Sequence, residues 1–170
     1  ILSLVFVYFI LAAQYESYML PFAVILSLPL GVIGAFFGQR IFGLENNIYF
    51  QIANIMLIGL LAKNAILIVE FAVQRRHHGE SLTMSAINAA KARLRPILMT
   101  SFAFIFGMLP LVFASGIGSV GNRSIGTGAA MGLLIGTFVG LLVIPVLYVV
   151  FQGLQEKISP VKNEDVHLSE

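Results

Sequence analysis

The sequence predicts an all-α integral membrane fold, a five-helix transmembrane bundle carrying one short surface helix, and three observations support it. Hydrophobic residues make up 58% of the chain and charged residues only 11%, with a mean hydropathy of +0.94, a balance no ordinary soluble domain of 170 residues has. The apolar residues fall into five runs punctuated by Gly, Pro, Asn and charged residues. The basic residues collect on one side of the alternation between runs. Cysteine is absent, so disulfide staples and thiolate metal sites are excluded. The formal charge of +2 is too small and too scattered for a nucleic-acid surface, and membrane lipids are the expected surroundings.

The first run, at about 1–14, is apolar and aromatic and ends at Gln14-Tyr15-Glu16-Ser17. The chain opens on Ile1 with no visible signal peptide, and this run resembles a spanning helix missing its first residues, as if the chain were a piece of something longer. The second run, about 19–39, carries Pro29 mid-span, where a missing N–H should kink the helix. Arg40 to Asn47 reads as a loop, with Asn46 or Asn47 placed to cap the third run at about 48–73. A hydrophilic stretch follows, in which Ser81 caps an alanine-rich surface helix at about 81–92. Pro96 suits the first turn of a fourth span at about 96–114, and the Gly- and Ser-rich Ser115 to Ser124 reads as a loop. The last span, about 125–151, has Gly128, Gly132, Gly136 and Gly140 at a strict spacing of four, a groove for close helix packing. Residues 1–152 thus form the bundle, and 153–170 read as a mobile tail.

Arg75, Arg76, Lys91, Arg93 and Arg95 share one connection and Lys157 and Lys162 share the tail, whereas Arg40 and Arg123 stand alone in the other two long connections. Five spans put the Gln14 turn, the basic connection and the C-terminus on one side, and the positive-inside rule makes that side cytoplasmic.

Chemistry centres on Lys63, in the apolar run Gly59 to Phe71. An ammonium at the middle of an inserted helix costs about 2.5–3.5 kcal/mol, so it should face a bundle interior or wet cavity and have a partner. That partner is either the carbonyls of a broken helix or acids on another helix. Glu16, Glu45 and Glu70 all lie near an edge of the membrane, and Glu70 stands two turns, about 10 Å, from Lys63. A charged Lys63 therefore takes its counter-ion from outside this chain. Glu70 reads as an interfacial carboxylate pairing with Arg93 or Arg95. Thr100 and Ser101 either bond back to carbonyls of their own helix or belong to a proton path with Arg93 at its mouth, and the residues alone leave both open. His77 and His78 are neighbours without an acid cluster and read as solvated loop residues. No nucleophile elbow, phosphate-cradling glycine loop or HExxH motif is present, so a soluble-type enzyme site, a metal and an organic cofactor are not expected.

Several stretches carry a specific resemblance: Ala12-Ala13-Gln14-Tyr15-Glu16-Ser17, Pro29-Leu30-Gly31-Val32-Ile33-Gly34-Ala35, Tyr49-Phe50-Gln51, Ala62-Lys63-Asn64-Ala65-Ile66-Leu67-Ile68-Val69-Glu70-Phe71 and Arg93-Leu94-Arg95-Pro96-Ile97-Leu98-Met99-Thr100-Ser101. From about Leu4 to Phe151 the chain resembles the hydrophobe/amphiphile efflux branch of the resistance-nodulation-cell division superfamily, the AcrB-like inner-membrane pumps. The resemblance implies helices 8–12 of a twelve-helix transporter of the bacterial inner membrane, driven by protons, that exports drugs as a homotrimer through a periplasmic adaptor and an outer-membrane channel. It implies that Lys63 pairs with two aspartates on a helix not in this sequence, that Thr100 belongs to the same relay, that Arg93 marks its cytoplasmic side, and, more weakly, that Asn64 takes part. A related pump for lipids or metal ions, or an inactive truncated membrane fragment, are the alternatives.

Overall fold

The computed structural model describes residues 1–158, and these form five helices: α1 (Leu2–Tyr15), α2 (Leu20–Ile41), α3 (Ile48–His77), α4 (Leu82–Val112) and α5 (Ser119–Ile158). Four of them, α2 to α5, are long and apolar enough to cross a membrane, while α1 is a 14-residue apolar helix. The all-α membrane bundle expected from composition is therefore the observed fold.

Local chemistry sets the helix ends. Glu16 closes α1 in the left-handed conformation at φ 48°, and the Ser17 hydroxyl then accepts from the backbone N–H groups of Met19 and Leu20 to start α2. Asn47 is the cap of α3, its Oδ1 accepting from the Phe50 N–H at 2.9 Å. Ser81 caps α4 as expected, accepting from the Met84 N–H at 3.4 Å. Pro29 lies inside α2.

Three boundaries differ from the sequence reading. The surface helix and the fourth span are one element, α4, which runs through Pro96 instead of restarting there. A proline removes one hydrogen bond and crowds the preceding turn, but packing on both sides carries the helix across: Ala86 and Ala89 are buried before it and Ile97 after it. The loop of residues 115–124 is shorter than expected, because α5 begins at Ser119 after a turn at Gly116 and Gly118, both with positive φ. The later glycines there serve packing: a side chain at Gly126 would meet the backbone of Val112 at 2.8 Å, and one at Gly121 the ring of Tyr49 at 3.0 Å. Finally, α5 continues to Ile158, past the expected start of the tail, and the rest of that tail lies outside the described residues.

α5 is the element against which the others pack. Gly132 meets Ala35 and the Gly31 carbonyl of α2 and Leu57 of α3, Gly136 meets Gly31 and Leu61, and Gly128 meets Phe50. Gly132 and Gly136 thus bring backbones together, and Gly128 makes room for the Phe50 ring. Gly140 does neither, since a Cβ there would make only an ordinary 3.5 Å contact with Ile144 of the same helix. α2 answers with its own glycines, Gly34 against Ile135 and Gly38 against Met131.

The two ends are tied by polar contacts. At one end Gln39 Nε2 donates to the Ser124 carbonyl at 2.8 Å and Asn47 Nδ2 to the Ser124 hydroxyl at 2.9 Å, linking α2, α3 and α5. At the other, basic end, Arg76 holds Glu156 through Nε at 2.7 Å and Nη2 at 3.0 Å, and donates to the Glu80 carbonyl. Glu80 also accepts from Arg75 at 2.9 Å and Asn88 at 3.1 Å. Hydrogen bonds from Arg76 hold the Glu156 carboxyl below the usual carboxylate range, and Asn88 first, then Arg75, do the same for Glu80. The Gln14 turn, the basic connection and the end of α5 share this end of the bundle, as the span count requires.

Candidate functional site

The sequence elements singled out for chemistry converge on a cleft of about 220 Å³ between α3 and α4, floored by Leu133 of α5. Leu60, Lys63, Asn64 and Leu67 of α3 form one wall, a stripe repeating at helical spacing. Arg93, Pro96, Ile97, Thr100, Ser101 and Phe104 of α4 form the other. Lys63, Asn64, Arg93 and Thr100 therefore share one cavity, which only the crossing of two helices brings about. Lys63 and Thr100 are exposed at its open side, and Arg93 and Asn64 are half-buried.

The cleft gathers two cationic side chains and no carboxylate lines it. Among the described residues Lys63 makes no ion pair. Arg93 does not pair with Glu70, contrary to expectation. Its guanidinium lies over the Phe71 ring at 4.9 Å, and Arg75 approaches the same ring at 5.0 Å. Glu70, next to Phe71 on α3, sits in a separate polar cleft with Gln14, Tyr15, Glu16, Gln74 and His77. A residue two turns from Lys63 along a stripe has rotated off it by about 20° and moved about 10 Å, enough to change neighbours.

The hydroxyls separate by role. Thr100 Oγ1 donates within its own helix, lying 3.1 Å from the Pro96 carbonyl and 3.0 Å from that of Ile97. The threonine hydroxyl thus shares its proton between two carbonyls of its own helix, which leaves its lone pairs without a partner on this chain. Ser101 does not bond back along α4. Its hydroxyl meets that of Thr137 on α5 at 3.0 Å, with the two residues 4% exposed. Thr137 and Phe71 escaped the sequence reading, because a threonine among glycines and a phenylalanine in an apolar run carry no local signal.

A polytopic helical membrane protein with an ammonium, a guanidinium and a hydroxyl converging inside its spans is the class these features define. The family is more specific. Residues 1–152 match the AcrB/AcrD/AcrF family, and the chain belongs to that family. It is 46% identical over 162 residues to the toluene efflux pump membrane transporter TtgB of Pseudomonas putida, a match covering 95% of this chain and 15% of that protein. To the multidrug resistance protein MdtF of Escherichia coli it is 49% identical over 154 residues, 90% of this chain and 15% of that one. To the solvent-resistant pump membrane transporter SrpB of Pseudomonas putida the identity is 43% over 171 residues, with 98% and 16% covered. The chain thus spans about 15% of the length of these relatives.

Proposed function

We propose that this chain is the C-terminal membrane portion of a proton-driven efflux transporter for hydrophobic and amphiphilic compounds, and that the α3–α4 cleft is the cationic half of its proton relay. The observation that carries this reading is the convergence of Lys63, Asn64, Arg93 and Thr100 on one cleft without a carboxylate in its lining. An ammonium within a membrane span, in a cleft that offers it no carboxylate, needs an acid from elsewhere. Two aspartates on a further helix of the same polypeptide meet that need. Protonating one of them removes its attraction for Lys63, the ammonium reorients, and the helices bearing the two halves shift against one another. Thr100, with its proton committed to α4 carbonyls, accepts from the Lys63 side, and Arg93 sets the potential at the basic, cytoplasmic mouth. Cycled through three protomers joined to an adaptor and an outer-membrane channel, that displacement drives export. The names of the relatives, which speak of a toluene efflux pump, of multidrug resistance and of a solvent-resistant pump, favour drug and solvent cargo over lipid or metal-ion cargo.

The test is Lys63→Ala in the full-length transporter, with expression and assembly checked. Loss of proton-driven dye export at normal expression is expected. Wild-type export by a well-expressed Lys63→Ala variant would overturn the relay.

A further inference from the structure

We infer that the buried Ser101–Thr137 hydroxyl pair is the positioning element that sets the rotation of α4 about its axis, and so decides whether Thr100 and Arg93 face Lys63. The inference rests on the relay reading of the cleft. α4 presents two adjacent faces in the membrane. All five of Arg93, Pro96, Ile97, Thr100 and Ser101 border the cleft, but Pro96 and Thr100 are exposed and Arg93 half-buried, whereas Ile97 and Ser101 turn into the bundle and are 3% and 4% exposed. Ser101 follows Thr100 directly, about 100° further around the helix, so fixing one fixes the other.

The membrane half of α4 is otherwise thinly held. Between Pro96 and Val112 only Ile97, Ser101 and Val112 are buried, and the neighbouring Met99, Phe102 and Phe106 are exposed. Apolar side chains there give little rotational preference, because lipid tails are as apolar as a facing helix and turning one out of the bundle costs little. A hydrogen bond between two short hydroxyls has both a distance and a direction. In hydrocarbon, with no water to replace a lost partner, it discriminates between rotational settings where apolar contact does not. Thr137 is suited to the task, since it follows Gly136 on the helix whose backbone lies against Gly31 of α2 and is therefore itself immobilised. Ser101–Thr137 is the one side-chain hydrogen bond between α4 and α5 in the membrane half of α4 among the described residues.

The experiment uses the full-length transporter in proteoliposomes with an imposed proton gradient and a fluorescent export substrate, comparing Ser101→Ala, Thr137→Val, the double variant and Thr137→Ser, with Lys63→Ala as reference. Thr137→Val keeps the shape and removes the hydroxyl, and Thr137→Ser keeps the hydroxyl. Intramembrane hydrogen bonds of this kind are worth a factor of about 3, and up to about 18, in the equilibrium they control. Expected are a loss of about 3-fold or more in rate for Ser101→Ala and Thr137→Val, with a shifted pH profile of transport, no further loss in the double variant, and a wild-type rate and profile for Thr137→Ser. Wild-type rates and pH profiles in Ser101→Ala and Thr137→Val overturn the inference. So does a rate loss that follows assembly alone with the pH profile unmoved, which is what a merely structural hydroxyl pair gives. If Lys63→Ala is inactive while Thr137→Val behaves as wild type, the positioning role fails and the relay stands. If Lys63→Ala transports normally, the relay fails and the positioning role falls with it.

Discussion

Adding one methyl group at Gly132 and one at Gly140 separates glycines that pack from a glycine that merely repeats. At Gly132 a Cβ stands 3.0 Å from the Ala35 Cβ and 3.1 Å from the Gly31 carbonyl oxygen, and it also runs into Leu57. Carbon contacts are favourable at about 3.5–4.0 Å, so the new methyl group is too close to α2 by about 0.5–1 Å. Leu57 can turn away, but Ala35 has no rotamer to change and Gly31 offers backbone, so α5 must back off from α2. Overpacking of this kind costs about 1–3 kcal/mol, against which alanine recovers up to about 1 kcal/mol of helix propensity. At Gly140 the only neighbour within reach is Ile144 Cδ1 at 3.5 Å, and the propensity gain stands unopposed. Gly132→Ala should therefore melt below Gly140→Ala by the equivalent of about 1–3 kcal/mol, read as thermal loss of monodispersity of the full-length transporter in detergent. Equal melting of the two variants would refute the account of α5 as the packing axis.

At the basic end, Arg76→Ala removes two charge-assisted bonds to Glu156, whose partners' side chains are 23% and 21% exposed, and should cost about 1–2 kcal/mol after allowance for that exposure. The folded pKa of Glu156 is depressed, so its contribution is present above the unfolded value and is lost as pH falls through the folded one. The stability gap between wild type and Glu156→Gln should accordingly begin to narrow below about pH 4.3 and close only once pH has fallen through the lower folded value, measured by thermal unfolding across pH. Asn47→Ala loses both the α3 cap and the tie to Ser124, about 2 kcal/mol together, while Asn47→Asp keeps the acceptor that caps α3 and should lose about half of that. Thr100→Ala should slow proton-coupled export with the bundle intact; unchanged export would return Thr100 to a hydroxyl that only serves its own helix.

Much of the bundle could be read from local pattern, because span length, caps and breakers are local physics. Asn47 and Ser81 cap helices where their side chains and spacing say they should, and Lys63 announced itself as a charge in an apolar run. Misreadings arose where tertiary packing outweighed a local signal. Pro96 marks a helix start by propensity, yet α4 passes through it because buried alanines hold the preceding turns and Ile97 the following one. The glycines around residue 121 resemble a loop, yet Tyr49 and Val112 occupy the space they leave. Glu70 suited a partner among the arginines of the next helix, but Arg93 lies over Phe71 instead.

By itself the sequence determined the class of fold, the grouping of basic residues at one end, the family resemblance, and the lack of any Asp or Glu near Lys63 within the apolar runs. These follow from composition and order, which exist before folding. Only the tertiary structure decided that Lys63, Asn64, Arg93 and Thr100 share a cleft, that Gly132 packs while Gly140 does not, and that Ser101 turns to Thr137. The physical reason is that helix rotation and crossing are set by contacts between residues far apart in the chain, and no local propensity encodes them.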